Sequence, residues 1–144
     1  MPSRKVQALT LIGRITQQAL EEEAAALGRL HARMRELAAE KAALRADLQA
    51  QAEVRSLEAS AYLPGYIRAV RGEEGRIDAE LVKLAEEARA LEEALRARFL
   101  EKKRTEKVLD DATAAEAAEA ARAEARALDD LAVMRHARGR PGPG

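Results

Sequence analysis

Cysteine and tryptophan are absent from this 144-residue chain, and its aromatic complement is two tyrosines and one phenylalanine, Tyr62, Tyr66 and Phe99. Without cysteine there is neither a disulfide framework nor a thiolate zinc or redox site. The two histidines, His31 and His136, are too few for an imidazole metal cluster. Serine occurs only at Ser3, Ser56 and Ser60, and no glycine-rich loop is spaced to cradle a phosphate. Nor does any apolar run approach the roughly 18 to 20 residues of a membrane-spanning helix. The opening Met1-Pro2-Ser3-Arg4-Lys5 leads into an amphipathic segment with no small-residue cleavage site, so a soluble cytoplasmic protein is expected.

Alanine, glutamate, arginine, leucine and lysine supply 96 of the residues, and 34 of those are alanine. The 47% hydrophobic content therefore buys little bulk. So few large side chains cannot build a thick core, whereas this composition suits long helices that bury narrow stripes. Paired acids such as Glu86-Glu87 and Glu92-Glu93 have nothing to desolvate them on an exposed helix, and no enzymatic activity, cofactor or metal is expected.

Proline divides the chain. Pro2 stands near the start, Pro64-Gly65 interrupts the middle, and Pro141-Gly142-Pro143-Gly144 closes it. In the first half Leu27, Leu30, Met34, Leu37, Lys41, Leu44 and Leu48 step by alternating threes and fours, the seam of a coiled coil. The step of eleven from Leu9 to Leu20 reads as a stutter. In the second half Leu63, Ile67, Val70, Glu74, Ile77, Leu81, Leu84, Ala88, Leu91 and Leu95 keep one frame. After Leu95 that frame meets Arg98, Lys102 and Thr105, and Phe99, Leu109 and Ala112 suggest a shifted stripe. Ten alanines between Ala112 and Ala127 then favour helix while offering a partner little to grip.

The pattern predicts an all-α fold: two long helices forming an antiparallel coiled-coil hairpin with a C-terminal helical overhang. Its boundaries are a helix over 4–60, a turn over 61–65 and a helix over 66–138, one domain spanning 1–138, then a disordered tail over 139–144. Folding about the turn sets Leu48 near Ile77, Leu30 near Leu95 and Leu9 near Ala115, and leaves roughly residues 119–138 without a partner. Gly72 and Gly75 bracket Glu73-Glu74 as a soft spot near the turn, each costing about 1 kcal/mol against alanine.

Formal net charge is zero, but its distribution is uneven. Arg4, Lys5 and Arg14 are the only charges in residues 1–20, and Arg135, Arg138 and Arg140 the only ones in 131–144. An antiparallel hairpin brings both segments toward one end, where Arg122 and Arg126 continue the basic series. Such an end suits a protein socket better than nucleic acid, because no aromatic residues interleave and the phosphate footprint is small.

Several short motifs, in this order, resemble the FliJ family of flagellar export proteins. They are Tyr66-Ile67-x-x-Val70 after the turn, Glu101-Lys102-Lys103-Arg104 in the second helix, and Leu128-Asp129-Asp130-Leu131-Ala132 followed by Met134-Arg135. The resemblance spans nearly the whole chain. It implies a cytoplasmic coiled-coil stalk of the flagellar type III export apparatus, at the cytoplasmic face of the membrane, similar in shape to the gamma subunit of rotary ATPases. It further implies binding to the hexameric export ATPase, promoting its activity, to the export gate protein FlhA, and to export chaperones. Carried over by position, the gate contact falls on Tyr66, Ile67 and Val70, while Gly72-Glu73-Glu74-Gly75 departs from the family pattern as an extra helical turn. The alternatives are the homologous stalk of an injectisome, a generic dimerising scaffold and an RNA-binding helical hairpin.

Overall fold

The computed structural model describes residues 2–53 and 57–139, and the side chains of all but 57–60 among these. It consists of two helices, α1 (Arg4–Glu53) and α2 (Leu57–Gly139), with no strand among the described residues. The start of α1 is fixed locally. Ser3 is the cap: its Oγ accepts from the Val6 amide at 3.2 Å, and its carbonyl accepts from the Gln7 amide at 3.0 Å.

The chain forms two compact units, residues 18–99 and residues 1–17 with 100–144. Within 18–99, α1 and α2 run antiparallel. Glu23 pairs with Arg98, His31 with Glu92, Lys41 with Asp78 and Arg45 with Glu74, so the partner on α2 recedes as α1 advances. Between them lies the seam. Leu37 and Ile77 are fully buried, Val70 and Ala88 nearly so, and every other seam position from Leu27 to Leu48 and from Leu63 to Leu95 is at least half withdrawn from water. Two helices can enclose only this one row on each side, so the core is a line rather than a volume.

The turn does not fall where the proline points. α1 ends at Glu53 and α2 begins at Leu57, while Pro64 and Gly65, expected in a turn over 61–65, are ordinary members of α2. Residues 61–65 are thus helical and not a turn, and 54–56 lie outside the described residues. A mid-helix proline costs about 3 kcal/mol through a lost amide donor and a steric clash. Against that, helical geometry at 63–70 carries Leu63, Ile67 and Val70 onto the seam, and a fully buried aliphatic side chain contributes about 1.5 to 3 kcal/mol. With Val70 buried and the other two half-buried, packing wins. The pairing differs as well. Lys41 meets Asp78, whereas a partner near Leu48 had been expected for Ile77, a difference of about six residues, or roughly 9 Å at the helical rise.

In the other unit the seam frame continues through Val6, Leu9, Gly13 and Thr16 on α1 and through Lys102, Thr105, Leu109, Ala112 and Glu116 on α2, all withdrawn from water, with Thr10, Gln17 and Glu106 withdrawn beside it. Two irregularities expected from the sequence are absent. No stutter separates Leu9 from Leu20, because Gly13 and Thr16 occupy the intervening seam positions; and Leu109 and Ala112 stand in the original frame, while Phe99 is half exposed outside it. Past Glu116, every residue of 117–139 is exposed, a helical extension that no other described segment covers. Of the expected tail over 139–144, Gly139 instead closes α2, and 140–144 lie outside the described residues.

Candidate partner-binding surfaces

The second to fourth turns of α2 carry the aromatic-aliphatic cluster, and helical spacing sorts its members. Val70, 3% exposed, belongs to the seam, and Ile67 is half-buried on the same stripe. Tyr66 lies beside the seam. With Gln51 of α1 and Tyr62 and Leu63 of α2 it lines an open hollow of about 270 Å3. Of the three residues expected to meet a partner, only Tyr66 thus combines shelter with a reachable face. Tyr62 joins it, 78% exposed and one turn earlier. The spacing of four between the chain's only two tyrosines was the signal for it, and the presumption of a turn at 61–65 concealed it.

Immediately after this cluster the helix runs unbroken through Gly72 and Gly75. Neither glycine has a positive φ, and a Cβ built on either would meet nothing within 4 Å. Close packing therefore does not require them. Glu73 is hydrogen bonded by Arg76 Nε at 3.2 Å, and this contact with the guanidinium holds the Glu73 carboxyl below its ordinary value and raises Arg76. Glu74, at a seam position, is sheltered and paired with Arg45 Nε at 3.1 Å; the Lys41 ammonium donates to Asp78 at 2.7 Å one turn away. A polar layer thus interrupts the aliphatic seam, the arrangement that fixes register in coiled coils at some cost in stability.

The basic residues lie in the unit formed by 1–17 and 100–144. Arg4, Lys5 and Arg14 are exposed on α1, and among the described residues none has an ion-pair partner. Arg4 and Lys5 occupy the first turn, which holds no acid, so their charge adds to the positive end of the helix dipole. On the extension Arg122 and Arg126 are exposed, but both bond to Glu119, at 3.0 and 3.1 Å. Their field is thereby partly cancelled. Arg135 and Arg138 are exposed further on, with His136 and Arg138 in the last turn of α2, where cations favour the helix. Sequence reasoning missed an apolar surface on α1: Leu11, Ile12 and Ile15 are 57%, 47% and 59% exposed, on the side turned from Val6, Leu9 and Gly13. They had been passed over because only the seam frame was followed.

Among the described residues no group of acids and histidines could hold a metal ion, and no helix is long and apolar enough to cross a membrane. The fold is that of an antiparallel coiled-coil hairpin with an exposed helical extension. Residues 5–141 match the family described as Flagellar FliJ protein. The chain belongs to that family, and its setting is accordingly flagellar protein export. No curated protein and no solved structure matches it significantly.

Proposed function

We propose that the chain is a cytoplasmic stalk of the flagellar export apparatus, which engages the hexameric export ATPase through its basic, alanine-rich end and the gate protein FlhA through Tyr66. The observation that carries this reading is the exposed extension of 117–139 in a member of the FliJ family. Alanine keeps a helix slender and its propensity high, while arginines at intervals offer bidentate bonds to carboxylates or carbonyls of a surrounding ring. Arg4, Lys5, Arg14, Arg135 and Arg138 supply the charge for steering, and Arg122 and Arg126 become available when a partner acid competes with Glu119. Tyr66 and Tyr62 offer the gate an apolar ring with a polar edge, Ile67 and Val70 serving beneath them as support. Association with export chaperones follows from the same family reading, and membrane attachment is through these partners.

The match to a flagellar family favours this system over the injectisome. The test is ATP hydrolysis by the export ATPase with and without the chain. Full-length protein should raise turnover and promote the hexamer; protein lacking 119–144 should keep its helicity and lose the effect. Equal stimulation by the truncated protein would reduce the extension to a solubilising tail.

A further inference from the structure

Two exposed apolar faces in the unit of 1–17 and 100–144 have no occupant within the chain. One is the outer face of α1, Leu11, Ile12 and Ile15. The other belongs to the extension. Continued by threes and fours from Glu116, the seam frame there reads Glu119, Ala123, Arg126 and Asp130, so that Leu128, 60% exposed, and Leu131 stand on the opposite side with Ala121, Ala125 and Ala132. Because α2 is one unbroken helix to Gly139, the extension does not turn back onto α1. Any meeting of these faces is between molecules.

Their charges are complementary. The α1 face is bordered by Arg4, Lys5 and Arg14, with no acid in residues 1–20. Flanking the leucines of the extension stand Glu124 and Asp129, exposed and, among the described residues, without an ion pair, since Arg122 and Arg126 are occupied by Glu119. We propose that two copies of this chain associate tail to tail, each laying its extension along the outer face of the other's α1. A two-fold axis across the helices makes the extension of one copy parallel to α1 of the other, because α1 and α2 are antiparallel within each. With Leu128 and Leu131 set beside Ile12 and Ile15, Asp129 comes within one residue of the level of Arg14, and Glu124 lies within about one turn of Lys5. The sequence continues the match where the signs invert: α1 turns acidic at Glu21 and Glu22, and the extension basic at Arg135 and Arg138. Like faces brought together would instead oppose like charges, which disfavours other pairings of two copies. The association hides the same end that the stalk reading gives to the ATPase, yet it does not depend on that reading.

The test is sedimentation equilibrium of the full chain over about two decades of concentration, at low and high salt. The wild type is expected to pass from monomer to dimer, less readily at high salt. Arg4→Glu with Lys5→Glu and Arg14→Glu should be monomeric, as should Glu124→Arg with Asp129→Arg. Mixed in equal amounts, the two reversed variants should dimerise again, because both interfaces of the mixed pair are then complementary. Leu128→Ala with Leu131→Ala, which cannot disturb a packed core, should weaken the dimer by tenfold or more. A wild type monomeric throughout overturns the proposal, as do reversed variants that self-associate like the wild type, a mixture that stays monomeric, or an alanine pair without effect.

Discussion

Replacing Ile77 by alanine tests whether the single seam holds the hairpin. Ile77 is 0% exposed, in the unit of 18–99, one turn from the sheltered Glu74. The substitution deletes three carbons, which at about 0.8 kcal/mol each amounts to some 2.4 kcal/mol. Incomplete collapse around the void adds to this, while alanine's better helix propensity returns about 0.4 kcal/mol. The net expectation is a loss of about 2 to 3 kcal/mol. Val82 is the control on the same helix. It is 61% exposed, so Val82→Ala loses little transfer energy and gains about 0.6 kcal/mol of propensity. Urea unfolding followed by far-ultraviolet circular dichroism should show the midpoint falling for the first variant and holding or rising for the second, with unchanged m-values. Equal shifts for the two would refute a seam that divides α2 into a buried and an exposed face.

Gly72→Ala and Gly75→Ala should each stabilise the protein by about 1 kcal/mol in the same unfolding experiment, since space is open at both sites and neither φ is positive. A loss of stability would mean that the glycines serve a conformation other than this helix. Tyr66→Ala should weaken binding to the gate protein, measured by calorimetry, with helicity nearly unchanged; loss of helix in proportion to binding would make the residue structural. Glu73, whose folded carboxyl is depressed by its bond to Arg76, should titrate by NMR below the ordinary carboxylate range. Its small contribution is therefore present above that range and lost as pH falls through the folded value. Arg76→Gln should return the midpoint to normal.

The seam was legible because each buried row of a two-helix coil is a simple function of spacing. Leu27 to Leu48 and Leu63 to Leu95 were found from leucine positions alone, and all are sheltered. What escaped were the places where small or polar residues take seam positions. Gly13 and Thr16 looked like a gap, and Arg98, Lys102 and Thr105 like the end of the frame, because a rule that follows large apolar side chains cannot see a position buried by its neighbours. Pro64 misled in the opposite direction: its local preference is real, but it is outweighed by the stripe on which Leu63, Ile67 and Val70 lie. Placing a turn there left the expected pairing about six positions off at Lys41 and Arg45, and hid Tyr62. At the basic end the arginines were legible as charge. Their pairing with Glu119 was not, since it depends on which rotamers meet across one turn of helix for Arg122 and two for Arg126.

The central claim is that this hairpin works as a stalk, inserted by its basic end into the ring of the export ATPase. Electron cryo-microscopy of the ATPase hexamer assembled with the full chain tests it most directly. The account predicts helical density in the central opening, with Arg4, Lys5 and the 117–139 extension inside the ring. An empty opening in a saturated complex, or a rod bound to the outer wall of the ring, would contradict it.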